Sequence, residues 1–124
     1  MGGSTIVLIE DDEGIRDTMA ALLEDEGYVV LQATNGAEGL ERVRAADRLC
    51  LVLLDLWMPV MNGWQLLAEM RADERLSEVP VVVISAAGEQ PPPFGAAAFL
   101  RKPVRLEALL EAVEQHRLRG SDGA

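Results

Sequence analysis

The chain is short of cysteine, histidine and positive charge, and each shortage excludes something. One cysteine, Cys50, rules out an internal disulfide framework and a cysteine-rich zinc site. One histidine, His116, rules out a multi-histidine metal centre. Lysine and arginine total 11 against 21 aspartates and glutamates, a formal charge of −10. That balance argues against nucleic acid or an anionic membrane as the main partner and suits a cation site. The longest apolar run, Leu49–Leu54, is far short of a membrane span. No basic segment leads into an apolar one at the start, so no secretory signal is expected. Ile6 stands where a myristoylation signal needs Ser or Thr. The expectation is a cytoplasmic protein. What is present is ordinary: 124 residues, 49% hydrophobic and 26% charged, enough for one domain with its own core. Residues 1–124 read as a single domain with an ordered core from about Thr5 to Arg119; Gly2–Thr5 and Gly120–Ala124 read as disordered tails.

Five short apolar runs punctuate the chain: Ile6–Ile9, Tyr28–Leu31, Cys50–Leu54, Val81–Ile84 and Ala98–Leu100. Most are rich in Val, Ile or Leu without polar alternation, the pattern of strands buried on both faces. Helical periodicity fills most gaps. Ile15, Met19, Leu22 and Leu23 share one face over Glu13–Glu26, and Gly27 stops that helix. Asn35 with Glu38 resembles a capping box before Leu40 and Val43. Trp64, Leu66, Leu67 and Met70 follow Gly63, and Leu106, Leu109, Leu110 and Val113 follow Pro103. Strand and helix therefore alternate, with one crossover undecided. The pattern predicts a doubly wound parallel sheet with helices on both faces, and ligands at the carboxyl ends of its strands.

Those ends carry Glu10-Asp11-Asp12, Asp55, Ser85 and Arg101-Lys102-Pro103. Carboxylates converging from adjacent strands repel one another unless a cation neutralises them. All-oxygen ligands with open positions suit Mg²⁺, which keeps waters and accepts phosphate oxygens. Taken singly, each residue has a plainer explanation. Asp12 reads as a helix N-cap, and Glu10 and Asp11 could cap or be solvated. Ser85 could be a turn residue and Lys102 a surface charge. Asp55 has little local capping to do, because Leu56-Trp57-Met58-Pro59 follows it. The joint pattern is more specific than any member.

The segments LIEDDE, LLDLWMPVMNG, VVVIS and FLRKPV resemble the receiver domain of two-component response regulators, over about Thr5 to Arg119. The most specific parts are Asp55, Met58, Pro59 and Gly63, spaced as D-x-x-M-P-x-x-x-G, and the pair Lys102-Pro103. The resemblance implies a five-stranded parallel sheet of order 2-1-3-4-5, flavodoxin-like, and a phosphorylatable switch rather than a turnover enzyme. It implies Asp55 as phosphoacceptor. Asp11 would be the direct Mg²⁺ ligand, with Glu10 acting mainly through water and the Trp57 backbone carbonyl completing the protein's share. Lys102 and Ser85 would bind phosphoryl oxygens, Ser85 and Phe99 would form the switch, and Lys102–Pro103 would be cis. The implied donor is a phosphohistidine on a sensor histidine kinase or a histidine phosphotransfer protein; His116, on the last helix, is no donor. The downstream effector stays unnamed.

The chain departs from the family at the fourth crossover, Ala86–Ala96, which contains Pro91-Pro92-Pro93. Consecutive prolines exclude a helix interior there and favour an extended segment. The expected fourth crossover helix is therefore short or absent, with Phe94 covering the sheet and the usual output face partly missing. Trp57 and Ala87 occupy positions that tune phosphoryl lifetime, and Phe99 lacks the oxygen of a tyrosine. A pseudo-receiver, a pure interaction module with an altered output face, is the alternative; the full set Glu10, Asp11, Asp55, Ser85 and Lys102 argues against it. A phosphohydrolase of the haloacid dehalogenase type needs an Asp where Trp57 stands. Flavin or dinucleotide binding lacks a glycine-rich first turn.

Overall fold

A computed structural model of the chain describes residues 4–56, 61–86 and 96–118. The elements are β1 (Thr5–Ile9), α1 (Glu13–Asp25), β2 (Val29–Ala33), α2 (Gly36–Ala45), β3 (Leu49–Asp55), α3 (Gly63–Ala72), β4 (Val81–Ala86), β5 (Ala98–Lys102) and α4 (Leu106–His116). The strands form one parallel sheet in the order β2-β1-β3-β4-β5. That is the doubly wound arrangement expected from the alternating sequence. The crossover between β4 and β5 falls on residues 87–95, outside the described residues, and so does the expectation attached to its prolines.

Period-two alternation along the strands splits the core in two. Val7, Ile9, Val52, Leu54, Val81 and Val83 face α2 and α3, meeting Leu40, Val43, Leu66, Leu67 and Met70. Ile6, Leu8, Leu51, Leu53, Val82 and Ile84 face α1 and α4, meeting Met19, Leu23, Leu109 and Val113. Because both faces are covered, both sets must be apolar, and this is why the runs lack polar alternation.

The helix ends follow local chemistry. Asp12 caps α1 by accepting the Ile15 N–H at 2.9 Å. Gly27, at φ 98°, makes the left-handed turn that releases the chain into β2. Asn35 accepts the Glu38 N–H at 2.8 Å, but Glu38 completes no capping box. Its carboxylate instead accepts the Thr34 N–H at 2.7 Å and the Thr34 hydroxyl at 3.0 Å. The complete box lies at α3, where Asn62 accepts from Gln65 N and the Gln65 side chain accepts from Asn62 N.

Several sequence-based boundaries move. Thr5 is no tail residue: it opens β1, buried, with its N–H on the Arg48 carbonyl at 3.0 Å. β2 starts at Val29 rather than Tyr28 and runs to Ala33, because pairing with Leu8 and Ile9 carries it past its apolar run. Asp55, Ser85 and Lys102 lie inside the last turns of pleat of β3, β4 and β5, not beyond them. Leu106, expected on the buried face of the last helix, is 44% exposed, since it sits at the free first turn of α4; Ala112 takes a core place instead.

Candidate functional site

β1 and β3 are neighbouring interior strands, and their register sets the site. Ile9 pairs with Leu54, so Glu10 and Asp55 emerge side by side, one residue further on. Asp55 pairs with Ile84 across to β4, and Ser85 and Ala86 pair with Arg101 and Lys102 across to β5. Four strand ends therefore deliver Glu10, Asp55, Ser85 and Lys102 to one edge of the sheet. Gly63 lets α3 close on the end of β3. Its N–H donates to the Leu56 carbonyl at 3.0 Å, and a Cβ there would stand 2.8 Å from Leu56 Cα and 3.2 Å from the Asp55 carbonyl oxygen.

Glu10 and Asp55 are almost completely buried, while Asp11 is exposed. One carboxylate oxygen from each of the three lies within 4.8 Å of the others. Lys102 Nζ reaches across from β5 to Glu10 Oε1 at 3.1 Å and to Asp55 Oδ2 at 3.3 Å. Burial, then the neighbouring Asp55 charge, push the Glu10 carboxyl up, only partly offset by the Asp12 N–H and Lys102. Burial works against the Lys102 ammonium as well, but Asp55 and Glu10 outweigh it and hold the group above its ordinary range. Ser85 Oγ, fully buried, has no partner among the described residues.

This donor set fits a hard divalent cation. It is all oxygen, and it carries three carboxylates, two of them buried, against one nearby ammonium. The cis Lys102–Pro103 bond is present. Phe99 sits half-buried on β5, packed against the α2–α3 side of the core. Trp57 lies outside the described residues, as do Met58 and Pro59. A groove of about 640 Å³ opens beside Lys102, between α1 and the start of α4, lined by Ile15, Met19, Pro103, Val104 and Leu106.

The motif pattern does not single out Arg16 or Gln32, yet both brace the site. Arg16 donates to the Glu10 carbonyl at 3.0 Å and to Gln32 Oε1 at 3.2 Å. The available signal was a cation just inside a helix whose side chains lean back toward its N-terminus.

Comparison with known proteins places this geometry. Residues 6–114 match the response regulator receiver domain. The chain is 37% identical over 114 residues to the transcriptional regulatory protein GlrR of Escherichia coli K12, covering 88% of this chain and 25% of that protein. It thus spans about a quarter of the length of that relative. It is 30% identical over 113 residues to protein PilH of Pseudomonas aeruginosa, covering 87% of this chain and 93% of PilH. Among solved structures, the receiver domain of sensor histidine kinase PA1611 from Pseudomonas aeruginosa PAO1 superposes with a TM-score of 0.84 at 25% identity, covering 92% of this chain and 97% of that one. That structure holds a magnesium ion coordinated in its active site cleft. A sheet of this order, with acids at the ends of the adjacent strands β1 and β3 and a family match along nearly all of the described chain, makes this protein a member of the response regulator receiver domain family of two-component systems.

Proposed function

We propose that the chain accepts a phosphoryl group from a phosphohistidine onto Asp55 and acts as a conformational switch. The observation that carries the reading is the Asp55 carboxylate at the end of β3, beside Glu10 and Asp11 and 3.3 Å from Lys102 Nζ. In the transfer, an Asp55 oxygen forms a bond to phosphorus as the phosphorus–nitrogen bond of the donor breaks, and the histidine leaves as a neutral imidazole once protonated. Asp55 needs no base to activate it, because a carboxylate is already a nucleophile. Lys102 places positive charge where the transferred oxygens gather negative charge. Ser85 Oγ, buried and without a partner among the described residues, supplies a hydroxyl donor for an oxygen of the arriving group.

Glu10, Asp11 and Asp55 would hold Mg²⁺, together with the Trp57 carbonyl. When bound, that ion supplies charge neutralisation for an acidic acceptor meeting an anionic group. Lys102 Nζ meets the buried Glu10 and Asp55 carboxylates directly. In the switch, Ser85 moves toward the phosphoryl group and Phe99 turns into the space released, gaining at most about 1.5–3 kcal/mol from burial.

The donor is a sensor histidine kinase or histidine phosphotransfer protein in the cytoplasm, and the chain makes no direct contact with nucleic acid or membrane. Among the described residues no helix is long and apolar enough to cross a membrane. Intact mass after incubation with acetyl phosphate or phosphoramidate and Mg²⁺ tests the reading. Wild type should gain one phosphoryl group and Asp55→Asn none. An adduct that persists in Asp55→Asn would put the acceptor elsewhere.

A further inference from the structure

Arg16 lies half-buried near the start of α1. Its Nη1 donates to the Glu10 backbone carbonyl at 3.0 Å, and its Nε donates to the Gln32 side chain on β2 at 3.2 Å. Gln32 is itself anchored, pairing with Leu8 in the sheet and accepting at its carbonyl from Arg42 Nε at 3.2 Å. The Glu10 carbonyl belongs to the peptide bond that joins Glu10 to Asp11. Because that unit is planar, holding the oxygen holds the plane from which Asp11 departs.

The surrounding turn is pinned at other points. Glu10 N–H donates to the Ala33 carbonyl at 3.0 Å, Asp12 N–H donates to Glu10 Oε2 at 3.1 Å, and the Asp12 carbonyl accepts from Arg16 N at 2.9 Å. Asp11 is the exposed member of the acidic cluster, and among the described residues no hydrogen bond or ion pair holds its carboxylate. Its place therefore comes from the backbone on either side, and Arg16 is the side chain that grips that backbone ahead of it.

We propose that Arg16 is a positioning residue: its two-pronged hold on the Glu10 carbonyl and Gln32 fixes the Glu10–Asp11 peptide, so that the Asp11 carboxylate stands with Glu10 and Asp55 for a divalent cation. The inference rests on the Mg²⁺-binding reading above. Its sign separates it from a plain charge effect. Arg16 is a cation beside an acidic site, so removing it should tighten Mg²⁺ binding if only charge mattered. A positioning role demands the opposite. Residues that orient metal ligands typically cost 10- to 100-fold in affinity when removed.

The test is Mg²⁺ titration at fixed ionic strength, followed by intrinsic fluorescence, on wild type, Arg16→Ala, Arg16→Lys, Gln32→Ala and Asp55→Asn, with metal-free melting measured alongside. Arg16→Ala should bind Mg²⁺ about tenfold more weakly or worse. Arg16→Lys, which keeps the charge but can satisfy one acceptor at a time, should fall between it and wild type. Gln32→Ala should weaken binding by a smaller factor. Unchanged or tighter binding in Arg16→Ala overturns the proposal, and so does full recovery in Arg16→Lys. If Arg16→Ala does not fold, unchanged affinity in both Arg16→Lys and Gln32→Ala overturns it. Wild type that binds no Mg²⁺, or binds it as Asp55→Asn does, overturns the metal-site reading itself; normal wild-type binding with indifferent Arg16 and Gln32 variants overturns only this inference.

Discussion

Lys102 shows what one side chain does for a buried acidic site. It is the cation that reaches both Glu10 and Asp55, and it comes from a strand two places away from β3 in the sheet. With its group held above the ordinary range, its stabilising contribution is whole at neutral pH and is lost only as pH rises through that raised value. Lys102→Met should therefore destabilise the metal-free protein at neutral pH, by about 2–3 kcal/mol, because two buried carboxylates lose the ammonium between them. Adding Glu10→Gln to that background should recover part of the loss. Urea denaturation of the single and double variants checks this; an additive result would mean that Lys102 and Glu10 do not interact. Lys102 was legible in the sequence because the Lys-Pro pair follows an apolar run. Its bond to Glu10 was not, since nothing local links residues so far apart. Arg16 was missed for a related reason: its partners are a backbone carbonyl and a neutral glutamine, and neither leaves a trace in a search for charge pairs.

At the scale of elements, the start of α2 offers a pH-dependent case. The Glu38 carboxyl is held low mainly by the Thr34 N–H and then the Thr34 hydroxyl, with Arg42 3.6 Å away adding less. A depressed carboxylate stabilises the fold above its unfolded value, and that gain is lost as pH falls through the folded value. Glu38→Gln should therefore cost about 0.5 kcal/mol at neutral pH, discounted for its exposure. The gap in melting temperature from wild type should close as pH falls from about 6 toward 3. A gap that persisted in acid would assign the effect to packing. Asn35 and Glu38 had the spacing of a capping box, and half of it is there. Glu38 departs because Thr34 places two donors together just outside the helix, a competition that spacing alone does not reveal. The box at Asn62 and Gln65 has no Ser or Thr to mark it, and it lies across the end of the D-x-x-M-P-x-x-x-G segment. Strand identities were easier, since burial on both faces makes uninterrupted apolar runs. Strand ends were harder, because parallel pairing extends them through polar residues such as Gln32 and Ser85.

Over the whole molecule, a charge of −10 makes every cation stabilising to some degree. A specific site must exceed that background. Millimolar Mg²⁺ should stabilise wild type by roughly 1 kcal/mol or more through mass action, measured as thermal denaturation against NaCl of matched ionic strength. Asp11→Asn should erase the difference between the two salts while keeping the general response. The order of the sheet has a further consequence, for how the molecule breathes. β1 and β3 are interior strands with almost every residue buried, whereas β5 is an edge strand with none of its residues fully buried. Amides of interior strands exchange with deuterium only when the whole domain opens, whereas edge strands also exchange through local fraying. Residue-resolved exchange should therefore find Leu51–Leu54 protected to the global limit and Phe99–Arg101 exchanging well ahead of them; equal protection would refute it. The acceptor carboxylate then rides on the most persistent part of the fold, and Lys102 on a part that comes loose by itself. Fraying of β5 would briefly strip the acidic bed of its resident cation while leaving the bed intact, a rare open form in which the acids stand ready for a different positive charge.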